Sequence, residues 1–261
     1  MATNEFTVFT KPWPDKSLTE LGRFVHDLGF DGVELPVRPD FQVIPDKVTD
    51  GLPEAARILA DEGVKIGSIA GTIDRATIEA CGVAGVPVIR VCESIDMEIG
   101  YFESEKRIIE RYREVVPILS NSGVAIGVQN HCGTDIGSAI GVMHLVGEFD
   151  PKQVGVVLDL AHCGFDGEPE EMAIDIAWSH LLLINLKSGY RRRTAGPEIK
   201  DAGWELHWTT GGQGIVNWKR TIDELKRRGY RGDYCLTAEY TLRDMADRLV
   251  TEDIAYAKSL L

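Results

Sequence analysis

The stretch VGVVLDLAHCG, residues 154–164, decides the fold. Its nearly continuous apolar run predicts a strand covered on both faces, which is typical of parallel sheets flanked by helices. The run ends in Asp159, and His162 follows three positions later. An ionised carboxylate at the end of a buried strand is costly unless a partner compensates its charge. We therefore expect a compensating group for Asp159 elsewhere in the chain.

The same unit recurs along the sequence as a short apolar run, a polar loop and an amphipathic segment. The eight apolar runs are FTVF (6–9), GVEL (32–35), VKIGSIAG (64–71), VPVIRVCE (86–93), VAIGVQNH (124–131), VGVVLDLA (154–161), LLLINLK (181–187) and DYCLTAE (233–239). Strands that alternate with helices predict an α/β protein with a parallel sheet. Eight such units predict a single (β/α)8 TIM barrel, one domain over residues 1–261.

The amphipathic segments carry ordinary helix signals. Ser17 is the predicted N-cap of a helix in residues 17–29, with Glu20 as its capping-box partner. Residues 104–123 and 216–229 each close on a glycine, the usual helix stop. A doubly wound open sheet is the alternative architecture, and it has less support because no GxGxxG follows the first strand.

Composition limits the classes of partner. The 261 residues carry a formal net charge of -13, which repels a nucleic-acid backbone. The start has no basic segment followed by an apolar one, and no apolar run is long enough to span a membrane. The charge and the apolar runs lead us to expect neither a nucleic-acid nor a membrane partner. The cysteines are odd in number and lack CxxC pairing, so we expect reduced thiols in a cytoplasmic protein. They are Cys81, Cys92, Cys132, Cys163 and Cys235.

Polar residues stand at the ends of seven of the eight predicted strands. In a barrel these ends surround one active site. The residues are Lys11, Trp13, Glu34, Glu93, Gln129, Asn130, His131, Asp159, His162, Asn185, Lys187 and Glu239. So many polar groups after apolar runs exceed what packing requires, and they predict a functional site.

Four of them come from consecutive strands and predict a metal site. Gln129, Asp159, Asn185 and Glu239 offer four oxygens, two of them anionic, a set suited to Mn²⁺ or Mg²⁺. A cation bound to this set would offset the buried negative charge of Asp159. The alternative is structural: Asp159 caps a loop, and Glu239 pairs with a lysine or arginine.

The remaining residues predict contacts with a substrate. His162 is expected to hydrogen-bond a substrate oxygen or to orient Asp159, and Arg191 to hold an anionic group. Four further residues are expected to line the substrate site: Trp13, Glu34, Glu93 and His131. For Glu34 and Glu93 the alternative is an internal salt bridge with Lys11 or Arg90. The glycine-rich segment 207–218 lacks GxxxxGK[ST] and is not a phosphate-binding P-loop.

With these residues in view, the chain resembles the xylose isomerase-like TIM-barrel superfamily, the sugar phosphate isomerases and epimerases. The resemblance extends over essentially the whole chain. It is carried by LGFDGVEL (28–35), VQNH (128–131), VLDLAH (157–162), LKSGYRRR (186–193) and GQGIVNWKRTIDELKRRGYRGDYCLTAEY (212–240). The resemblance implies a small sugar or polyol substrate and a homodimer or homotetramer.

The resemblance also implies ligands: a Glu on strand five, an Asp on six, a His on seven and a Glu on eight. This chain matches that set at Asp159 and Glu239 and departs from it at Gln129 and Asn185. An amide at position 129 cannot act as a base and weakens a metal site.

Three further positions match. His162 and Arg191 stand where the epimerases have a histidine and an arginine that contact the substrate, and Asp135 stands at an additional acidic position.

These features predict a divalent-metal-dependent isomerase or epimerase acting on a keto-sugar or polyol. Glu239 would remove the proton beside a carbonyl, and His162 or Lys187 would supply one. The alternatives are a dehydratase or lyase of the inosose or dehydroshikimate dehydratase type, and a metal-free barrel that binds carbohydrate. Endonuclease activity would need more histidines and carboxylates than these strand ends provide.

Overall fold

Eight parallel strands close into a barrel in the computed structural model, which describes residues 4–261. This confirms the predicted TIM-barrel fold. Counting along the chain, the strands are β1 (Phe6–Phe9), β2 (Gly32–Pro36), β3 (Lys65–Ala70), β4 (Val88–Cys92), β5 (Ala125–Gln129), β6 (Val154–Asp159), β7 (Leu181–Leu186), β8 (Ser188–Arg193), β9 (Trp204–Thr209) and β10 (Tyr234–Leu236). β1 to β7 and β10 form the barrel, where β10 pairs with β7 and β1.

Helices surround the barrel. They are α1 (Leu18–Asp27), α2 (Val48–Asp61), α3 (Arg75–Ala84), α4 (Tyr101–Ser122), α5 (Ala139–Val146), α6 (Leu160–Asp166), α7 (Glu170–Ala177), α8 (Trp218–Arg228) and α9 (Ala246–Ser259). The predicted capping box of α1 is present: Ser17 Oγ accepts from the Glu20 backbone N–H, and the Glu20 side chain accepts from the Ser17 backbone N–H. Within residues 4–261, no helix combines the length and apolar character needed to cross a membrane.

An antiparallel hairpin of β8 and β9 lies between β7 and α8, where sequence reasoning expected a loop followed by a helix. The glycine-rich segment after this hairpin packs tightly against it. A Cβ atom on Gly214 would clash with Ser188 Oγ and with the backbone nitrogen of Gly189, and one on Gly211 would enter the Trp218 ring. Close packing therefore accounts for these glycines.

The last barrel strand is shorter than the predicted run 233–239. It ends at Leu236, and Ala238 adopts φ 50°, the left-handed region that side chains other than glycine rarely occupy. Such strain is concentrated at functional sites. Here it lies immediately before Glu239.

Asp253 on α9 anchors the loops on this side of the barrel. Its Oδ1 accepts from the Gly211 backbone N–H at 2.8 Å, and its Oδ2 accepts from the Tyr240 hydroxyl at 2.7 Å. Burial raises the pKa of Asp253 to about 6, although these two hydrogen bonds act in the opposite direction. A carboxyl group whose pKa is raised by folding binds its proton more tightly in the folded state. The protonated carboxyl group of Asp253 therefore stabilises the folded state at low pH, and this contribution is lost as pH rises from about 4 to about 6.

We expect the variant D253N to lose this pH dependence. Asparagine can still accept from Gly211 and hydrogen-bond Tyr240, but it carries no charge. The free energy of unfolding of D253N relative to wild type should rise by about 2 kcal/mol between pH 4 and pH 7. Urea unfolding across this range measures the difference. The exposed Asp223 supplies the control D223N, and an equal slope in both variants would contradict the prediction.

Candidate active site

Glu239 lies at the mouth of the barrel between two lysines. Lys11 Nζ lies 2.5 Å from one carboxylate oxygen, and Lys187 Nζ lies 2.7 Å from the other. Lys187 is buried, and its ammonium group sits 3.8 Å from the centre of the Trp208 ring. A cavity of about 390 Å³ is lined by Lys11, Trp208 and Glu239. Glu239 therefore forms part of a cavity wall, and the buried Lys187 contacts it from within the protein.

The two ammonium groups dominate the electrostatics of Glu239. Burial alone would raise the pKa of Glu239, but Lys187 and then Lys11 hold it far below its usual value. The carboxylate stays ionised throughout the physiological pH range. It becomes a stronger base only when an ammonium group moves its hydrogen bond to another acceptor.

Asp159, at the end of β6, is completely buried. Its Oδ1 accepts from the Ala161 backbone N–H at 3.1 Å, and its Oδ2 accepts from Gln129 Nε2 at 2.9 Å. Burial raises the pKa of Asp159 to about 6; the charge of Lys187 acts against this shift, and that of Glu239 adds to it. Asp159 thus caps α6 and accepts from two neutral donors, which is the structural alternative that the sequence offered for it.

The orientation of Gln129 follows from Arg90. Arg90 Nη1 donates to Gln129 Oε1 at 2.7 Å, and a guanidinium group can only donate. The Gln129 oxygen must therefore face Arg90, which directs the amide NH₂ to Asp159. Arg90 is itself held by Glu34, whose carboxylate accepts from Arg90 Nε and Nη2 at 2.6–2.9 Å.

The predicted oxygen set does not fit a divalent cation in this arrangement. Gln129 presents a donor to Asp159, and both oxygens of Glu239 are bound by ammonium groups. Among the residues that the structure describes, 4–261, the buried Oδ1 of Asn185 has no hydrogen-bond partner and is open to a ligand. A cation and Lys187 would compete for the same carboxylate.

His162 is buried and neutral. Burial lowers its pKa to about 2, and Lys187 contributes to the shift. Its Nδ1 accepts from the Cys132 backbone N–H at 3.1 Å, so the ring proton is on Nε2. That Nε2–H has no hydrogen-bond partner in the described part of the chain, residues 4–261, and Nε2 lies 3.7 Å from Asp159 Oδ2. The ring packs against Trp208, with 5.3 Å between centroids, beside Lys187. His162 is therefore a free donor next to the lysine.

His131 and Arg191 lie around this centre. His131 Nδ1 is 2.8 Å from Asp135 Oδ2, and its ring lies 4.4 Å from that of His162. Arg191 is exposed on the hairpin, with its guanidinium over the Phe165 ring.

A second set of possible metal ligands includes His131. Atoms of His131, Cys132 and His162 lie within 4.8 Å of one another. Nitrogen and sulfur ligands suit Zn²⁺ better than Mg²⁺. This set of nitrogen and sulfur atoms shares no residue with the oxygen ligands predicted from the sequence, which are Gln129, Asp159, Asn185 and Glu239.

Three predicted substrate contacts are engaged within the protein. Glu34 forms the internal salt bridge with Arg90 that was its alternative interpretation. Glu93 accepts from the Tyr112 hydroxyl at 2.6 Å and from Arg111 at 2.5 Å. The indole N–H of Trp13 donates to Asp247 at 2.7 Å.

Sequence reasoning missed Trp208. The tryptophan lies on β9, and it contacts both Lys187 and His162. The available signal was its position directly before the segment TTGGQG (209–214), whose glycines allow the hairpin to fold over the barrel mouth.

Comparisons with known proteins agree with this architecture. A D-psicose 3-epimerase from Clostridium cellulolyticum, solved with D-tagatose, superposes with a TM-score of 0.75 at 16% identity, covering 98% of this chain and 99% of that one. A xylose isomerase-like barrel from Mycobacterium smegmatis, solved with magnesium, gives a TM-score of 0.74 at 18% identity, covering 99% and 96%. At these identities the structures establish a common fold.

A curated relative matches part of the sequence. An inosose dehydratase from Geobacillus thermodenitrificans is 24% identical over 137 residues, 51% of this chain. The match spans about half of that relative, 46% of its length. The sequence profile of the xylose isomerase-like TIM barrel covers residues 23–260, so the chain belongs to the xylose isomerase-like TIM barrel family.

Proposed function

We propose that this chain is an enzyme that moves a proton at the carbon beside a carbonyl group of a small keto-sugar or polyol-derived ketone, as an isomerase or epimerase. The observation that supports this proposal is the carboxylate of Glu239 on the wall of the cavity of about 390 Å³, in contact with the ammonium group of the buried Lys187. Sugar epimerases and a dehydratase are among the proteins that this chain resembles.

In this proposal Lys187 supplies the positive charge that the sequence assigns to Mn²⁺ or Mg²⁺. Its ammonium group has three donors. When one donor turns to the substrate carbonyl oxygen, it polarises the carbonyl and leaves Glu239 a stronger base. Glu239 then takes the proton from the adjacent carbon, the electron pair of that C–H bond forms a carbon–carbon double bond, and the π pair of the carbonyl moves to its oxygen to give an enediolate.

His162 stabilises the same oxyanion. Its Nε2–H is fixed, neutral and unpartnered, so it can donate a hydrogen bond at no cost to another contact. For an isomerisation the proton returns to the former carbonyl carbon, and the hydroxyl proton on the first carbon passes to the former carbonyl oxygen. For an epimerisation a proton returns to the opposite face of the first carbon, and the carbonyl re-forms at its original position.

Dehydration is the second candidate. Glu239 is the one predicted base that lines the mouth cavity, since Asp159 is buried and position 129 is an amide. A single base suffices to form the enediolate, and loss of a β-hydroxyl group then gives an enone. The partial match to an inosose dehydratase favours this outcome.

Incubation of keto-sugars and inososes with the protein in D₂O, with chelator present, tests both candidates. We expect deuterium to enter at the α carbon, which NMR detects. An isomerase or epimerase gives deuterated sugar isomers as products, and a dehydratase gives an enone. E239Q should lose exchange, whereas E205Q, at an exposed glutamate of the hairpin, should keep it. A protein that binds these sugars without exchange would instead be a carbohydrate-binding barrel.

A further inference from the structure

Arg38 is a half-buried cation that has no anionic partner among residues 4–261, and its backbone is held in a turn. It follows β2, where its backbone N–H donates to Val43 O at 3.2 Å and its carbonyl oxygen accepts from the Phe41 N–H at 3.3 Å. Asp40, in the turn between them, has φ 65°, which is strained for a residue with a side chain. Gln42 Nε2 ties the turn to the loop after β1 by donating to the Trp13 carbonyl at 2.8 Å. The turn therefore holds Arg38 in place.

A second cavity, of about 790 Å³, lies at the ends of β2, β3 and β4, and its lining includes three arginines: Arg38, Arg90 and Arg111. The guanidinium of Arg90 is occupied by Glu34 and Gln129, and that of Arg111 is bound to Glu93. Arg38 forms no ion pair and no side-chain hydrogen bond with any residue in 4–261. In a chain of net charge -13, an arginine left unpaired inside a cavity is available for a ligand.

The surroundings of Arg38 connect it to the proposed catalytic groups. The guanidinium carbons of Arg38 and Arg90 lie 5.8 and 4.7 Å from the centre of the Phe9 ring. Burial and the charge of Arg90 lower the pKa of Arg38, and the charges of Glu34 and Glu239 act in the opposite direction. Arg38 thus lies at the same aromatic ring as Arg90, whose guanidinium group holds Gln129 next to Asp159.

We propose that Arg38 binds an anionic group, a carboxylate or a phosphate, on the substrate, while the substrate carbonyl faces Lys187 and Glu239. This inference rests on the proposed function and narrows its substrate class to acidic or phosphorylated keto-sugars. A guanidinium group matches the paired oxygens of either anion. Arg191, the anion contact predicted from sequence, is exposed on the hairpin and is absent from the lining of this cavity.

Calorimetric binding measurements test the proposal without turnover. The probes are inorganic phosphate, acetate, D-fructose, D-fructose 6-phosphate and a keto-sugar acid. We expect wild type to bind an anion-bearing sugar about 10- to 100-fold more tightly than neutral fructose. R38M should lose this preference, and R38K should keep part of it. R113M, at an exposed arginine paired with Glu148, should keep all of it.

Comparison of the probes also identifies the anion. Tighter binding of D-fructose 6-phosphate indicates a phosphate group, and tighter binding of the keto-sugar acid indicates a carboxylate. Circular dichroism and thermal melting check that R38M is folded. Equal affinity for neutral and anionic sugars, no saturable binding of any anion at millimolar concentration, or an unchanged preference in folded R38M would overturn the proposal. Anion preference without deuterium exchange would retain the Arg38 site and reject the proposed reaction.

Discussion

K187M is expected to lower the rate of deuterium exchange about 10³-fold, because it removes the donor that polarises the carbonyl in a water-poor site. Methionine nearly matches the length of lysine, so packing against Trp208 is retained. The same change should raise the pKa of Glu239, since Lys187 is the charge that lowers it most. ¹³C NMR titration of the glutamate carboxyl groups measures this rise without a substrate.

The control for K187M is K219M, which removes an exposed lysine paired with Asp223 on α8 and should leave exchange unchanged. Manganese binding supplies a second measurement. Wild type should bind Mn²⁺ weakly, because Lys187 occupies Glu239, and K187M should bind it more tightly. Stoichiometric Mn²⁺ in wild type, combined with exchange that chelator abolishes, would return the cation to the role that the sequence predicted for it.

R90M is expected to reduce the free energy of unfolding by about 3–5 kcal/mol, the usual cost of removing one partner from a buried ion pair. Glu34 is 1% exposed and Arg90 is 7% exposed, so the remaining carboxylate cannot regain water in the folded state. The Ser68 hydroxyl, at 3.1 Å, is its remaining side-chain donor. Urea unfolding at neutral pH, followed by circular dichroism, measures the loss.

Two further variants show whether the loss of stability in R90M comes from the buried ion pair. R57M breaks exposed pairs with Glu54 and Asp61 on α2 and should cost about 1 kcal/mol or less. The double variant E34L/R90M removes both buried charges and should recover most of the loss. A loss in R90M no larger than that in R57M would show that this buried pair does not stabilise the barrel.

The consequences of R90M extend beyond stability. Arg90 fixes the Gln129 oxygen, and Gln129 in turn donates to Asp159. Without the guanidinium group the amide is free to rotate and present its oxygen to Asp159, which would repel the carboxylate. We therefore expect exchange to fall in R90M even at temperatures where the variant is fully folded.

The sequence by itself determined the barrel and the strand ends that carry polar groups. The periodicity of the apolar residues, the length of each apolar run and the glycines that end the helices depend on local backbone preferences and on burial. A single sequence records these properties directly. The capping box at Ser17 is local in the same sense, and it is present. The end of β10 was less predictable, because the left-handed turn at Ala238 has no glycine to mark it.

Only the tertiary structure decided what each polar residue contacts. Lys187 and Glu239 are separated by 52 positions, and Arg90 and Glu34 by 56, so the sequence offers such pairs as alternatives but cannot select them. The sequence predicted a cation among Gln129, Asp159, Asn185 and Glu239, with a lysine or arginine partner for Glu239 as the alternative, and the folded chain brings the ammonium of Lys187 to Glu239. Charge compensation acts through space and depends on distances of a few ångströms, which are fixed only when the barrel closes.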